Sequence, residues 1–291
     1  MIKYHIHKNS WTVILDSNLN DATQEDINHL ARLLNKHTLI VGKKQNLSVQ
    51  EHLRITKMFK DPVFLDPKFH KGSDRVVVPD TNGLLLRVGG EVNELGIPGI
   101  AESVAEVIWH SDPHWPNLEC MIIFLAAIRG TANSKTSWCN NLLAYADLDQ
   151  ETKMILQPLK SILLTGIDFN SDLLFIDSYG LARPPSTGFN QTGIRVVQTN
   201  KTKQQGLYFP FNQLHGFEGM SEQAGKKLIQ EISKHITQEK YCYHHDWDDG
   251  DIVFTDQRFG LHMRHRCEHI SKRALRRSVI NYPDQDYELP Y

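Results

Sequence analysis

The sequence predicts a mainly β protein in which helices pack around a β core. Runs rich in β-branched and aromatic residues predict strands, and they cover residues 120–128, 172–178, 193–200, 206–211, 251–257 and 276–282. Apolar residues at helical spacing predict two helices within the first sixty residues and one from Ser221 to about Thr237. No internal repeat and no linker-like shift in composition divides the chain, so we expect a single domain over residues 1–291.

The two early helices each begin with a capping box, in which the side chains at the cap and at the third helical position bond to each other's backbone. Thr23 is followed three residues later by Asp26, and Ser48 is followed in the same way by Glu51. Apolar residues recur at helical spacing after both pairs. The run "TLIVG" at residues 38–42, between the two helices, predicts a buried strand.

The stretch from residue 61 to residue 107 is rich in turn-forming residues. Its segment "GGEVNELGIPGIAES" (89–103) contains four glycines and one proline, which argue against a helix or a strand. Long loops of this kind are commonly lids or binding loops. We therefore expect residues 86–104 to form a lid over a binding pocket.

Composition and charge exclude several classes of protein. The 291 residues are 40% hydrophobic and 23% charged, with a formal net charge of −2, so no basic face for nucleic acid is indicated. No apolar run approaches the roughly 20 residues that span a bilayer, and the N-terminus lacks the pattern of a signal peptide. The four cysteines are far apart and are expected to be reduced thiols. We expect a cytoplasmic protein that binds neither nucleic acid nor membranes.

The segment "WHSDPHW" (109–115) suggests a metal site. His110 and Asp112 are separated by one residue, which on an extended chain places both side chains on the same face. His262 is the best candidate for a third ligand, because it follows a predicted strand. Two histidines and one carboxylate form the facial triad of non-haem Fe(II) oxygenases. Because the chain has 15 histidines, the H-x-D pattern alone also fits a surface turn.

A carboxylate anchor is indicated beyond these candidate ligands. Arg273, Leu275 and Arg277 share one face of a strand by the period of two. A guanidinium on that face can bind a carboxylate through two parallel hydrogen bonds, which a lysine cannot imitate. A dicarboxylate co-substrate would need such an anchor.

Other prominent residues in the C-terminal half are expected to have structural roles. His244 and His245 are expected at the edge of a strand, and Trp247 in the core. Asp251 and Asp256 are expected to be turn and strand-end residues rather than ligands.

Four segments follow one another along the chain in a recognisable order: "WHSDPHW" (109–115), "SKTSWCNN" (134–141), "HHDWDDGDIVFTDQRFGLHMRH" (244–265) and "KRALRRSVI" (272–280). In this order they resemble the successive signatures of the taurine and 2,4-dichlorophenoxyacetate dioxygenase family, the TauD/TfdA family. The N-terminal order of strand, capped helix, "TLIVG" and second helix is similar as well, so the resemblance covers nearly the whole chain. It implies a double-stranded β-helix, a jelly-roll or cupin-like core.

The resemblance also implies roles for individual residues. It implies iron ligation by His110, Asp112 and His262. Thr136 matches the family threonine that hydrogen-bonds the co-substrate 2-oxoglutarate, and Arg273 matches the arginine that pairs with its distal carboxylate. Arg277 matches a second arginine, which lies near the co-substrate and in some members binds the anionic group of the substrate. Relatives that halogenate have a small residue in place of Asp112, so its presence argues for oxygenation.

The implied activity is that of an Fe(II)- and 2-oxoglutarate-dependent dioxygenase. Such an enzyme uses O2 to oxidise a C–H bond of a small molecule, and it releases succinate and CO2. Hydroxylation is the expected outcome, and Arg277 suggests an anionic or zwitterionic substrate such as an amino acid or a specialised metabolite. The resemblance also suggests a homo-oligomer.

Two alternatives use the same residues differently. A zinc-dependent hydrolase accepts two histidines and an aspartate with one position left open, but it needs no dicarboxylate anchor such as Arg273 and Thr136. A non-catalytic jelly-roll binding protein would be expected to have lost a ligand, and no ligand is missing.

Overall fold

Two β-sheets build the centre of the structure, and helices and smaller sheets surround them. A computed structural model of the chain describes residues 2–59, 76–112, 121–164, 175–176, 182–183, 190–210 and 213–281. Within these residues the strands are β1 (Tyr4–Ile6), β2 (Thr12–Leu15), β3 (Leu39–Gly42), β4 (Leu86–Val88), β5 (Val107–His110), β6 (Met121–Arg129), β7 (Lys135–Asn140), β8 (Lys160–Leu164), β9 (Phe175–Ile176), β10 (Ala182–Arg183), β11 (Asn190–Arg195), β12 (Val197–Thr199), β13 (Gln205–Leu207), β14 (Leu214–Phe217), β15 (Cys242–Asp246), β16 (Ile252–Asp256), β17 (Gly260–Arg264) and β18 (Ala274–Asn281). The α-helices are α1 (Gln24–His37), α2 (Val49–Met58), α3 (Asn141–Ala146), α4 (Gln150–Leu156) and α5 (Glu222–Ile236).

The two central sheets face each other. The larger has the strand order β1-β2-β3-β16-β6-β18-β4, and the smaller has the order β15-β7-β17-β5. The strand pairs are antiparallel, apart from the parallel pair β2 and β3. Val253 and Leu275 of the larger sheet pack against Trp138 of the smaller one. Two facing sheets with helices outside them confirm the predicted β core.

The central strands of the larger sheet are buried on both faces. In β6, Ile122, Phe124 and Ala126 lie in the core formed with α1 and α2. Ala127 lies on the opposite face, in the core shared with the smaller sheet. Because both faces are covered, residues 120–128 form a continuous apolar run in the sequence rather than an alternating one.

The predicted helices are confirmed, with the expected caps. Thr23 Oγ1 accepts a hydrogen bond from the Asp26 N–H, and the Asp26 carboxylate accepts one from the Thr23 N–H (3.0 Å). Ser48 and Glu51 make the same pair of bonds at the start of α2, and Ser221 caps α5. No helix in the described part of the chain is long and apolar enough to cross a membrane.

The strand predictions hold for the larger sheet. Four predicted strands correspond to β3, β6, β16 and β18, with ends that differ by at most two residues. Of the run predicted at residues 172–178, the structure describes Phe175–Ile176, which form β9. All four strands of the smaller sheet were missed, as were α3 and α4. The smaller sheet was missed because polar side chains occupy its inward positions.

One predicted strand is divided in two. Residues 193–200 belong partly to β11 and partly to β12, which lie in different sheets. Between them, Val196 bonds through its N–H to Leu159 and through its carbonyl to Tyr208, so the chain changes partner at this residue. Of the run at residues 206–211, only the beginning lies in β13 within the described residues.

The cysteines that the structure describes are reduced, as predicted. Cys139, Cys242 and Cys267 are free and buried, and Cys120 lies outside the described residues. Burial raises the pKa of the Cys242 thiol to about 12, so this thiol is protonated at neutral pH.

Asp251 joins the two sheets through a buried carboxylate. The carboxylate accepts hydrogen bonds from the Lys43 ammonium (2.6 Å), the Lys44 N–H (3.0 Å), the Asp248 N–H (3.0 Å) and the His245 ring (3.1 Å). Lys43 follows β3 of the larger sheet, and His245 lies in β15 of the smaller one. Burial alone would raise the pKa of Asp251, but the bonds from His245 and Lys43 outweigh it and lower the pKa to about 2.

Replacing Asp251 by asparagine should destabilise the protein, because the amide removes the charge that four donors share. We expect a loss of about 3 kcal/mol in the free energy of unfolding at neutral pH, measured by urea denaturation. Asp248→Asn is the matched control. Its carboxylate contacts the same Lys43 ammonium at 3.1 Å but is 55% exposed, so the expected loss is below about 1 kcal/mol.

The contribution of Asp251 to the free energy of unfolding should also depend on pH. Since folding lowers its pKa to about 2, the contribution is complete above the ordinary carboxyl pKa of about 4 and is lost as the pH falls towards the folded value. Urea denaturation of wild type and Asp251→Asn should therefore give a smaller difference near pH 3 than near pH 7. A difference that is the same at both pH values would contradict this assignment.

Candidate active site

His110, Asp112 and His262 converge between the two sheets. His110 ends β5 and pairs across the strands with His262 of β17, and Asp112 follows two residues later. Possible ligand atoms of the three side chains all lie within 4.8 Å of one another, and the two imidazole centroids are 4.1 Å apart. The structure thus brings together the three residues that spacing singled out.

The imidazole rings have the properties of neutral metal ligands. His110 donates a hydrogen bond from Nδ1 to the Ile108 carbonyl (2.6 Å), so this tautomer has its lone pair on Nε2. Burial lowers the pKa of both rings, that of His262 to about 3. His262 Nδ1 is buried and has no hydrogen-bond partner among the described residues. Two neutral nitrogens and one carboxylate fit a borderline metal ion such as Fe(II).

Asp112 supplies the negative charge of the cluster. Its carboxylate lies 3.2 Å from Nη2 of Arg277, which extends from β18 in the opposite sheet. Burial alone would raise the pKa of Asp112, but the positive charge of Arg277 outweighs it together with the two imidazoles, and the pKa lies below its usual value. The carboxylate is therefore ionised at neutral pH and available to a cation.

Two buried glutamines hold the backbone of Asp112 from different sides. Gln257 Oε1 accepts a hydrogen bond from the Asp112 N–H (3.0 Å), and Gln213 Nε2 donates to the carbonyls of Ser111 (3.4 Å) and Asp112 (3.3 Å). Neither glutamine was predicted from the sequence, since each lies outside the spacing pattern of the ligands. They position the carboxylate through its own peptide groups.

Arg273 is a buried cation without a counter-ion in the described part of the chain. Its side chain is 3% exposed, and Nε donates to Ser134 Oγ (3.2 Å). Nη1 has no hydrogen-bond partner among the described residues. Burial lowers the pKa of Arg273 to about 10, so the guanidinium remains charged at neutral pH. A buried charge of this kind is unfavourable unless an anion neutralises it, and the surroundings therefore fit a carboxylate.

Thr136 lies in β7, two residues beyond the serine that binds Arg273. It is 4% exposed, and its hydroxyl oxygen accepts a hydrogen bond from Trp247 Nε1 (2.9 Å). Trp247 is buried in the core, as the sequence predicted, and His244 and His245 lie in β15 at the edge of the smaller sheet. The predicted co-substrate threonine is thus near the predicted co-substrate arginine.

Glycines from two loops closely approach the backbone of Arg273 and of Lys272, the residue before it. A Cβ on Gly89 would lie 2.2 Å from the Arg273 carbonyl oxygen, and a Cβ on Gly130 would lie 2.0 Å from that of Lys272. The Glu91 N–H also donates to the Arg273 carbonyl (3.3 Å). Only glycine permits this approach, so both loops fix the position of the backbone from which the Arg273 side chain extends. From the sequence, Gly89 indicated only irregular structure.

The loop that follows β4 is irregular, as predicted. Residues 89–103 contain no helix or strand, and Arg87 braces them through hydrogen bonds to two loop carbonyls. Val92 and Leu95 are 56% and 78% exposed. The loop is therefore anchored at its base and presents apolar side chains to solvent.

A family comparison identifies the chain. The family model described as "Taurine catabolism dioxygenase TauD, TfdA family" matches residues 7–279. The chain belongs to this family. The membership confirms the TauD/TfdA resemblance and with it the enzyme class, an α-ketoglutarate (2-oxoglutarate)-dependent dioxygenase. Enzymes of the TauD/TfdA family use Fe(II), 2-oxoglutarate and O2 and act on small molecules.

Individual relatives within the TauD/TfdA family are distant in sequence. An α-ketoglutarate-dependent 2,4-dichlorophenoxyacetate dioxygenase of Burkholderia sp. (strain RASC) is 28% identical over 197 residues, which cover 67% of this chain and 64% of that protein. The dioxygenase of the same description from Cupriavidus pinatubonensis is 23% identical over 263 residues, or 87% and 88% of the two chains. The match thus spans less than two thirds of the first relative's length and most of the second's.

Solved structures confirm the jelly-roll fold of the family. The crystal structure of AAD-2 in complex with Mn(II) and N-oxalylglycine has a TM-score of 0.76 and 18% identity, and the match covers 98% of this chain and 99% of AAD-2. A taurine dioxygenase from Burkholderia xenovorans has a TM-score of 0.70 and 15% identity, with coverage of 96% and 89%. The double-stranded β-helix expected from the resemblance is therefore present.

Gly89→Ala should destabilise the protein more than Gly96→Ala, although both positions have positive φ. A Cβ on Gly96 (φ +74°) would have no atom within 4 Å, whereas a Cβ on Gly89 (φ +111°) would meet the Arg273 carbonyl. We expect losses of about 1 kcal/mol for Gly96→Ala, from the backbone conformation alone, and about 3 kcal/mol for Gly89→Ala, because the Arg273 backbone must move. Thermal or urea unfolding measures both, and equal losses would contradict the close contact.

Proposed function

We propose that this member of the TauD/TfdA family hydroxylates a C–H bond of a small anionic or zwitterionic molecule and releases succinate and CO2. The observation that carries the proposal is the His-Asp-His cluster, in which His110 and Asp112 are buried, together with a buried arginine, Arg273, that lacks a counter-ion among the described residues. A zinc hydrolase would use the cluster but leave the arginine without a ligand. A dicarboxylate co-substrate gives both features a role.

His110, Asp112 and His262 hold the iron in this proposal. The imidazoles contribute neutral lone pairs, and the ionised carboxylate contributes one negative charge. Bound iron supplies oxidative chemistry towards an unactivated C–H bond that no protein side chain can supply. Gln257 and Gln213 keep the carboxylate in place through the Asp112 peptide groups.

Arg273 and Thr136 bind the distal carboxylate of 2-oxoglutarate. The guanidinium can form two parallel charge-assisted hydrogen bonds, and its Nη1 has no competing partner among the described residues. The surroundings of Arg273 are dry, which strengthens its attraction for an anion. Both side chains therefore select a 2-oxo acid with a second carboxylate.

Arg277 gives the substrate site its preference for an anion. Nη2 contacts Asp112, and Nε has no hydrogen-bond partner among the described residues. The same face of the larger sheet continues with Val279, which packs with Ile123 of the neighbouring strand. A substrate anion at Arg277 would thus have an apolar surface beside it for the carbon skeleton.

The chain forms a single domain that comprises residues 1–291 in this proposal. Of the predicted lid at residues 86–104, Leu86–Val88 lie in β4 of the larger sheet, and the loop that follows them serves as the covering segment. Close contacts anchor the base of this segment at Arg273. Val92 and Leu95 at its tip are exposed apolar side chains, which gain by covering a bound molecule. The covering segment and Arg273, the proposed anchor of the co-substrate, therefore depend on the same backbone contacts.

The remaining expectations concern the setting of the enzyme rather than its chemistry. A homo-oligomer, a cytoplasmic location and the lack of nucleic-acid and membrane partners stay predictions. Size-exclusion chromatography with light scattering tests the homo-oligomer, for which the measured mass must be a multiple of the monomer mass.

An anaerobic titration with Fe(II) and 2-oxoglutarate tests the site. A 2-oxo acid chelated to Fe(II) absorbs in the visible range, and we expect this band in the wild type and much weaker Fe(II) binding in Asp112→Ala. Arg273→Met should raise the Kd of 2-oxoglutarate about 100-fold, because charge-assisted hydrogen bonds are lost. Arg276→Met is the matched control: Arg276 is buried in β18, three residues beyond Arg273, and bonds the Leu47 carbonyl, and its expected effect is below about 3-fold.

The outcomes of this titration separate the alternatives. If metal-loaded wild type gives no band with 2-oxoglutarate, the dioxygenase proposal fails and a hydrolase or a binding protein becomes the better explanation. If the two arginine variants weaken 2-oxoglutarate binding equally, the assigned role of Arg273 is wrong.

Pairs of compounds that differ only in a carboxylate and its carboxamide test the preference for an anion. We expect acids to stimulate succinate release at about 10-fold lower concentration than their amides in the wild type. Arg277→Met should remove that difference and change the Kd of 2-oxoglutarate by less than about 3-fold. An Arg277→Met variant that still discriminates acid from amide would refute the assignment.

A further inference from the structure

The hydroxyl of Thr136 has a fixed role in its hydrogen bonding. Its oxygen accepts a bond from the indole N–H of Trp247 at 2.9 Å, and the two side chains are 4% and 1% exposed. An indole N–H can only donate, whereas a hydroxyl has one proton and two lone pairs. The bond from Trp247 therefore occupies a lone pair and leaves the Thr136 proton to be donated elsewhere.

Trp247 is itself held in place from several directions. Its backbone N–H donates to the Ser134 carbonyl (3.0 Å), in the segment that leads to Thr136. Its ring lies edge-on to His245, with centroids 4.6 Å apart and an interplanar angle of 88°. His245 in turn donates to Asp251 at 3.1 Å. The indole N–H thus has a defined direction, and Trp247 braces both Thr136 and the serine that bonds Arg273.

Two other buried tryptophans in the described part of the chain lack such a bond. Trp11 and Trp138 are 2% and 1% exposed, and they share a core cluster with Trp247. The Nε1 atom of each has no hydrogen-bond partner among the described residues. A satisfied indole N–H is therefore not a general result of burying a tryptophan in this core, and the bond to Thr136 is specific to Trp247.

We propose that Trp247 is a positioning residue for 2-oxoglutarate, because its indole N–H orients the Thr136 hydroxyl as a donor to the distal carboxylate. The inference rests on the proposed function, in which Thr136 and Arg273 bind that carboxylate. A carboxylate accepts hydrogen bonds and cannot donate them. Without the indole N–H, the hydroxyl can rotate and donate to other acceptors. Ordering it again on binding of 2-oxoglutarate then costs free energy and weakens the affinity.

A double-mutant cycle with Trp247→Phe and Thr136→Val tests this role. The Kd of 2-oxoglutarate is measured by calorimetry on the Fe(II)-loaded protein without O2, and thermal unfolding is followed alongside. We expect the Kd to rise about 10-fold in Thr136→Val and about 5-fold in Trp247→Phe. In the Thr136→Val background, Trp247→Phe should add less than about 2-fold, because the hydroxyl it orients is gone.

Two controls separate orientation from general damage. Trp11→Phe removes a buried indole with no hydrogen bond among the described residues from the same core, and it should change the Kd by less than about 2-fold. 2-Oxobutanoate has the same keto acid group but no distal carboxylate, and Trp247→Phe should leave its Kd unchanged. If Trp247→Phe does not fold, benzothienylalanine at position 247 keeps the fused ring, lacks the N–H and takes its place.

Each result decides a different point. An unchanged Kd in Thr136→Val would refute the assigned role of Thr136 and with it that part of the proposed function. A raised Kd in Thr136→Val with an unchanged Kd in Trp247→Phe would overturn only the role of Trp247. Additive effects of the two changes, or an equal loss of affinity for both 2-oxo acids, would also overturn it.

Discussion

The buried carboxylate of Asp251 is the interaction on which the geometry of the interior depends. It binds Lys43 beside the larger sheet and His245 in the smaller one, so it joins the two sheets where the chain enters β16. A carboxylate in this position is stable because four donors satisfy it. His245 contacts the edge of Trp247, whose ring bonds Thr136. A structural carboxylate therefore begins a connected set of side chains that ends in the proposed co-substrate site.

Charge at the candidate site is unevenly balanced. Asp112 and Arg277 neutralise each other across the sheets, whereas Arg273 has no counter-ion among the described residues. Well-packed apolar residues at such positions would often be at least as stable. In the proposed function, the distal carboxylate of 2-oxoglutarate supplies the negative charge that is missing beside Arg273. The fold would thus give up some stability of the ligand-free protein for the capacity to bind an anion.

Local patterns explain why much of the fold was predictable. The capping boxes at Thr23 and Ser48 depend on residues only three positions apart, so neighbouring side chains specify where α1 and α2 begin. The central strands of the larger sheet are apolar on both faces and stand out in the sequence. The smaller sheet carries Thr136, His245 and His262 inside, and these polar residues obscure the pattern of a half-buried strand.

The sequence by itself determined the residue types of the site and their spacing along the chain, since His110 and Asp112 are two residues apart and Arg273 and Arg277 are four apart. Only the tertiary structure decided which of these groups meet: Asp112 contacts Arg277, and Thr136 accepts its bond from Trp247, 111 residues away. Periodicity specifies the face of a strand that a side chain occupies. Contacts across the interior depend on strand order and register, which arise from packing between residues that are distant in the chain.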